Sequence, residues 1–139
     1  RSTRKESSAA SDVYKRQPLI LVAEDDDSNF KLIKAIIGKK CDIQWAKNGE
    51  EIVALFKEYG NEAKAILMDI KMPVMNGLDA TKIIRGENKE IPIIMQTAYA
   101  FSSDKENAMN AGASEVLVKP ITLSILRNTL TKYFPELVW

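Results

Sequence analysis

From Pro18 onward, short apolar runs alternate with segments in which hydrophobic residues recur every three or four positions. The runs are apolar on both faces, as in strands buried inside a parallel sheet, and the spaced segments read as crossover helices. The pattern predicts strands at Leu19 to Ala23, Ile43 to Ala46, Ala65 to Met68, Ile93 to Gln96 and Val116 to Val118. It predicts amphipathic helices at about Ser28 to Ile37, Gly49 to Tyr59, Leu78 to Arg85, Ser102 to Asn110 and Leu123 to Tyr133. In the first helix Phe30, Ile33 and Ile37 share a face, and such a stripe serves a core.

Strict alternation with right-handed crossovers gives an α/β fold, a flavodoxin-like doubly wound five-stranded parallel sheet with five helices. Ligands of such sheets bind beyond the carboxyl ends of the strands, so functional residues are sought there. At 139 residues, with 45% hydrophobic and 28% charged, the chain has the size and balance of one globular domain. No apolar run is long enough to span a bilayer. Cys41 is the sole cysteine, so neither an intramolecular disulfide nor a cysteine metal cluster can form. The expectation is a cytoplasmic domain that does not itself engage a membrane. The lack of histidine excludes Ser-His-Asp triads, histidine-ligated zinc and a phosphohistidine on this chain.

The net charge of +1 is unevenly spread. Arg1, Arg4, Lys5, Lys15 and Arg16 meet only Glu6 and Asp12 in the first seventeen residues, so the remainder is net acidic. Its lysines are scattered among acids rather than clustered with aromatics, which argues against nucleic acid as a partner. Residues 1–17 lack periodicity and read as a disordered leader before a domain spanning 18–139. Ser7 to Gln17, SSAASDVYKRQ, resembles the translation of a sequencing adapter used in transposase-based library preparation, and Arg1 to Thr3 match its outer arm. The native sequence is expected to start near Pro18 and to be able to extend upstream.

Glu24, Asp25, Asp26 and Asp27 follow the first strand and Asp69 follows the third, so acids from separate strands converge on one sheet edge. Asp26 and Asp27 read as helix caps, with Asp27 directly before Ser28. Glu24 and Asp25, expected to be buried, would form a costly uncompensated pair, which favours a metal. Oxygen donors at a partly hydrated site favour Mg²⁺. Asp69 precedes Met72-Pro73 and Asn76-Gly77, which read as a turn. A lone aspartate there is often only a cap, but beside a divalent ion its carboxylate can attack phosphorus in line. Lys119, beyond the fifth strand, offers a mobile cation to Asp69 or to a phosphoryl oxygen, and Pro120 is expected in the cis form. Thr97 offers a hydroxyl to a phosphoryl oxygen.

In this order and spacing, LILVAEDDDSN, ILMDIKMPVMNG, IPIIMQTAYA and VLVKPI resemble the receiver domain of response regulators and hybrid sensor histidine kinases. The resemblance spans Pro18 to about Phe134 and is nearest to the C-terminal receivers of hybrid kinases. It implies a regulatory phosphoacceptor in a two-component phosphorelay, phosphorylated on Asp69 by a histidine kinase or histidine phosphotransfer protein. Such a domain is not an enzyme on other substrates; it catalyses only its own phosphorylation and autodephosphorylation. The resemblance further implies Asp25 as a direct Mg²⁺ ligand, Glu24 acting through water, and Lys71 as a ligand through its backbone carbonyl. Thr97 and Lys119 take phosphate-sensing roles, and Lys71 and Tyr99 flank the path of attacking water. Val116 departs from the pattern, since many receivers carry an aromatic residue there.

Two other readings stand beside this one. A small metal-dependent phosphohydrolase would also use Asp69 as nucleophile, but Ile70 and Lys71 stand where a second acid is needed. A pseudo-receiver serving as an interaction scaffold would have no need of the complete set of site residues.

Overall fold

The computed structural model describes residues 17–98 and 103–139. The expected leader through Arg16, and Tyr99 to Ser102, lie outside the described residues. Five strands, β1 (Leu19–Ala23), β2 (Asp42–Ala46), β3 (Ala63–Asp69), β4 (Ile93–Thr97) and β5 (Glu115–Val118), alternate with five helices. The helices are α1 (Asp27–Ile37), α2 (Gly49–Tyr59), α3 (Gly77–Glu87), α4 (Ser103–Ala111) and α5 (Leu123–Tyr133). All pairings are parallel, in the order β2-β1-β3-β4-β5. The flavodoxin-like architecture expected from the alternation is thus what forms.

Side chains alternate across the pleat, and each central strand therefore feeds two cores. Leu21, Ala23, Ile66, Met68, Ile93 and Met95 pack with Ile52, Phe56, Ala80, Ile84 and Ala108 of α2, α3 and α4. Ile20, Val22, Ala65, Leu67 and Ile94 pack with Phe30, Ile33, Ile37, Leu126 and Leu130 of α1 and α5. This double burial is why the strands read as continuous apolar runs.

The strands exceed the apolar runs at their ends. β3 starts at Ala63 because the β1–β3 register slips between Leu19 and Ile20, leaving Lys64 as an extra, exposed residue that the hydrophobic pattern does not reveal. It ends at Asp69, paired with Gln96 of β4. At the start of α1 the cap is Asp26 rather than Asp27. Asp26 has extended backbone and its carboxylate accepts from the Ser28 amide, whereas Asp27 is already helical and pairs with Lys47 at 3.5 Å. No helix among the described residues is long and apolar enough to cross a membrane.

Candidate functional site

β1 and β3 are neighbours at the centre of the sheet, so the residues that end them meet. The Glu24 amide still bonds to the Ala46 carbonyl at 2.9 Å, which keeps Glu24 in line with β1. Carboxylate oxygens of Glu24, Asp25 and Asp69 all lie within 4.8 Å of one another. Glu24 is fully buried and Asp69 is 6% exposed. Asp25, expected to be buried, is exposed, because the chain leaves the sheet there for the Asp26 capping turn.

The Glu24 carboxylate accepts from Asn29 Nδ2 at 2.5 Å and from the Asp26 amide at 3.2 Å. Burial nonetheless pushes its pKa up to about 7; the Asn29 bond opposes this, the charge of Asp69 adds to it, and Lys119 and the Asp26 amide oppose it more weakly. Lys119 Nζ reaches Asp69 Oδ2 at 3.0 Å and Glu24 Oε1 at 3.8 Å. Burial alone would lower the Lys119 ammonium, but the hydrogen bond and charge of Asp69, joined by Glu24 and Asp25, hold it above its ordinary range. The Lys119–Pro120 peptide is cis, as expected, and the Lys119 amide donates to the Thr97 carbonyl at 2.8 Å.

Buried Thr97 ends β4, and exposed Lys71 lies two residues beyond Asp69. Both line a cavity of about 190 Å³ shared with Asp69, Gln96, Asp104 and Lys119. Glu24, Asp25, Asp69, Lys71, Thr97 and Lys119 therefore all sit at the carboxyl edge of the sheet. Three acids against one lysine leave surplus negative charge on hard oxygen donors, a set that suits Mg²⁺.

Three participants escaped the sequence reading. Asn29 binds Glu24 and lies 3.5 Å from Gln96 Oε1. Gln96 is buried directly after the apolar run Ile93 to Met95, and a polar residue continuing an apolar strand was the available signal. Trp45 donates its indole N–H to the Glu24 carbonyl at 2.8 Å, across 21 residues of sequence, with no local signal at all.

The family model for the response regulator receiver domain matches residues 20–131. Hybrid signal transduction histidine kinase I of Dictyostelium discoideum is 38% identical over 129 residues, which cover 84% of this chain and 7% of that protein. This chain thus corresponds to a small part of that relative. The solved receiver domain of a sensor histidine kinase from Pseudomonas aeruginosa, with a magnesium ion coordinated in its active-site cleft, is 30% identical with a TM-score of 0.79, covering 86% of this chain and 99% of that one. The receiver domain of Ssk1, solved with the histidine phosphotransfer protein Ypd1 of Saccharomyces cerevisiae, gives 28% identity and a TM-score of 0.78, covering 88% and 93%.

Proposed function

The chain belongs to the response regulator receiver domain family, and from that premise we propose that it accepts a phosphoryl group on Asp69, with Mg²⁺ held by Asp25, Asp69 and the Lys71 carbonyl and, through water, by Glu24. The convergence of three carboxylates, two of them 3.0 and 3.8 Å from one lysine, at the carboxyl ends of β1, β3 and β5, is the observation that carries this reading.

An Asp69 carboxylate oxygen attacks the phosphorus of a phosphohistidine; the P–N bond breaks as the P–O bond forms, and the imidazole leaves with the electron pair. Bound magnesium supplies positive charge to the transferring oxygens. Asp69 is held for this by its place in the β3 ladder and by Lys119, whose ammonium is free to move from the carboxylate to a phosphoryl oxygen as the acyl phosphate forms. Thr97, fixed at the end of β4, offers its hydroxyl to another oxygen. The magnesium-bearing relative supports the choice of ion. The complex with a phosphotransfer protein supports a histidine phosphotransfer protein or histidine kinase as donor. The domain acts in the cytoplasm as a regulatory element, catalysing only its own phosphorylation and dephosphorylation, and in its native setting it is the receiver of a hybrid histidine kinase.

The test is incubation with Mg²⁺ and acetyl phosphate, followed by intact mass. One hydroxylamine-labile phosphoryl adduct is expected on the wild type and none on Asp69→Asn. Sustained release of inorganic phosphate without an adduct would instead indicate a phosphohydrolase, and neither adduct nor release an interaction scaffold.

A further inference from the structure

Glu24 lies past the end of the β1 ladder, and its carbonyl belongs to the peptide joining it to Asp25. Both acid side chains therefore hang from one peptide plane. A carbonyl at that position has no strand partner, and the indole N–H of half-buried Trp45 supplies one at 2.8 Å. The indole is itself fixed. It stacks on Phe30 of α1 with ring centroids 3.9 Å apart and an interplanar angle of 2°. Lys47 Nζ lies 4.8 Å from its centroid and bonds Asp27 at the start of α1. The turn from Glu24 to Asp27 is thus braced at both ends by side chains from the end of β2 and the residue just beyond it.

We infer that Trp45 is a positioning residue for the metal, its indole N–H setting the Glu24–Asp25 peptide so that both carboxylates point at one ion. This rests on the proposed metal reading and extends it to a side chain that touches no ligand atom. Groups that orient metal ligands without touching the ion typically change affinity by ten- to a hundred-fold when lost. A tryptophan that merely filled the core would contribute to melting temperature and leave affinity alone.

Trp45→Phe keeps a ring for Phe30 and removes the N–H. The variant is expected to bind Mg²⁺ about tenfold more weakly by calorimetry, while melting near the wild type in chelator. In the wild type, the Trp45 indole proton resonance should move with added Mg²⁺. Trp139, the second tryptophan, is bonded to Thr131 near the far end of α5 and should stay still. Equal Mg²⁺ affinity in wild type and variant would overturn the inference and leave the receiver reading intact. Failure of the wild type to bind Mg²⁺ would remove the inference together with the proposed metal site. If Trp45→Phe does not fold, the indole resonance decides, and a Trp45 signal indifferent to Mg²⁺ overturns the inference.

Discussion

Replacing Gly77 with alanine measures how tightly the reactive strand end is built into the packing behind it. Gly77 opens α3, and its amide donates to the Ile70 carbonyl at 2.8 Å. A Cβ at this position would sit 2.2 Å from the Asp69 carbonyl oxygen, 2.9 Å from Met95 Cε and 3.0 Å from Met68 Cγ. The methionine atoms can swing away, but the Asp69 oxygen belongs to a paired strand. Relief therefore requires α3 or the end of β3 to shift by about 1 Å. Overpacking of this kind costs about 1–3 kcal/mol, which for a domain of this size lowers the melting temperature by roughly 4–12 °C. The same shift displaces the Asp69 carboxylate from Lys119 and the other acids. Gly86, in the same helix, is the control: nothing lies within 4 Å of its added Cβ. Alanine there should stabilise by about 0.5–1 kcal/mol through helix propensity. Thermal melts followed by circular dichroism in chelator, and the rate of adduct formation from acetyl phosphate, give both readouts. Gly77→Ala should melt lower and react more slowly, and Gly86→Ala should match or exceed the wild type in both. A Gly77→Ala protein that melts within about 1 °C of wild type and reacts at its rate would refute the reasoning.

Mg²⁺ should raise the melting temperature of the wild type and leave Asp25→Ala unchanged; at tenfold excess over the dissociation constant the gain is about 1.4 kcal/mol, read by melts in Mg²⁺ against chelator. In chelator, Glu24, whose pKa is raised from 4.5 to about 7, gives the folded state the tighter proton. The stability it contributes is present below pH 4.5 and is lost as pH rises through about 7, so the melting temperature should fall over that window in the wild type and stay flatter in Glu24→Gln. Val74 is 73% exposed with φ +69°, closing a tight turn in which the Met75 amide donates to the Pro73 carbonyl. Val74→Gly should relieve backbone strain and stabilise by about 1 kcal/mol in denaturant unfolding, and a loss of stability would show the turn unstrained.

The five strands were legible because each is buried on both faces, and the site was legible because parallel sheets gather function at one edge. Both signals fade where the chain changes role. Asp69 and Thr97 extend their strands by one residue each, polar positions that an apolar run cannot announce. Asp25 is exposed rather than buried and Asp27 is helical rather than a cap because the exit from β1 depends on a backbone turn, and four consecutive acids look alike in sequence. Trp45 and Asn29 contribute through hydrogen bonds to β1's end, partnerships set by tertiary approach rather than by spacing.

The strand order also governs when the charges assemble on a growing polypeptide. β1 and β3 can pair as soon as residue 69 has emerged, which brings the acids together. Their lysine lies fifty residues further along the chain. At typical synthesis rates that interval lasts roughly 3–10 s. A nascent β2-β1-β3 layer therefore gathers the acids at its rim before β5 brings their lysine. The ion pair between Asp69 and Lys119 thus closes only once the last strand is in place, tying the centre of the sheet to its edge.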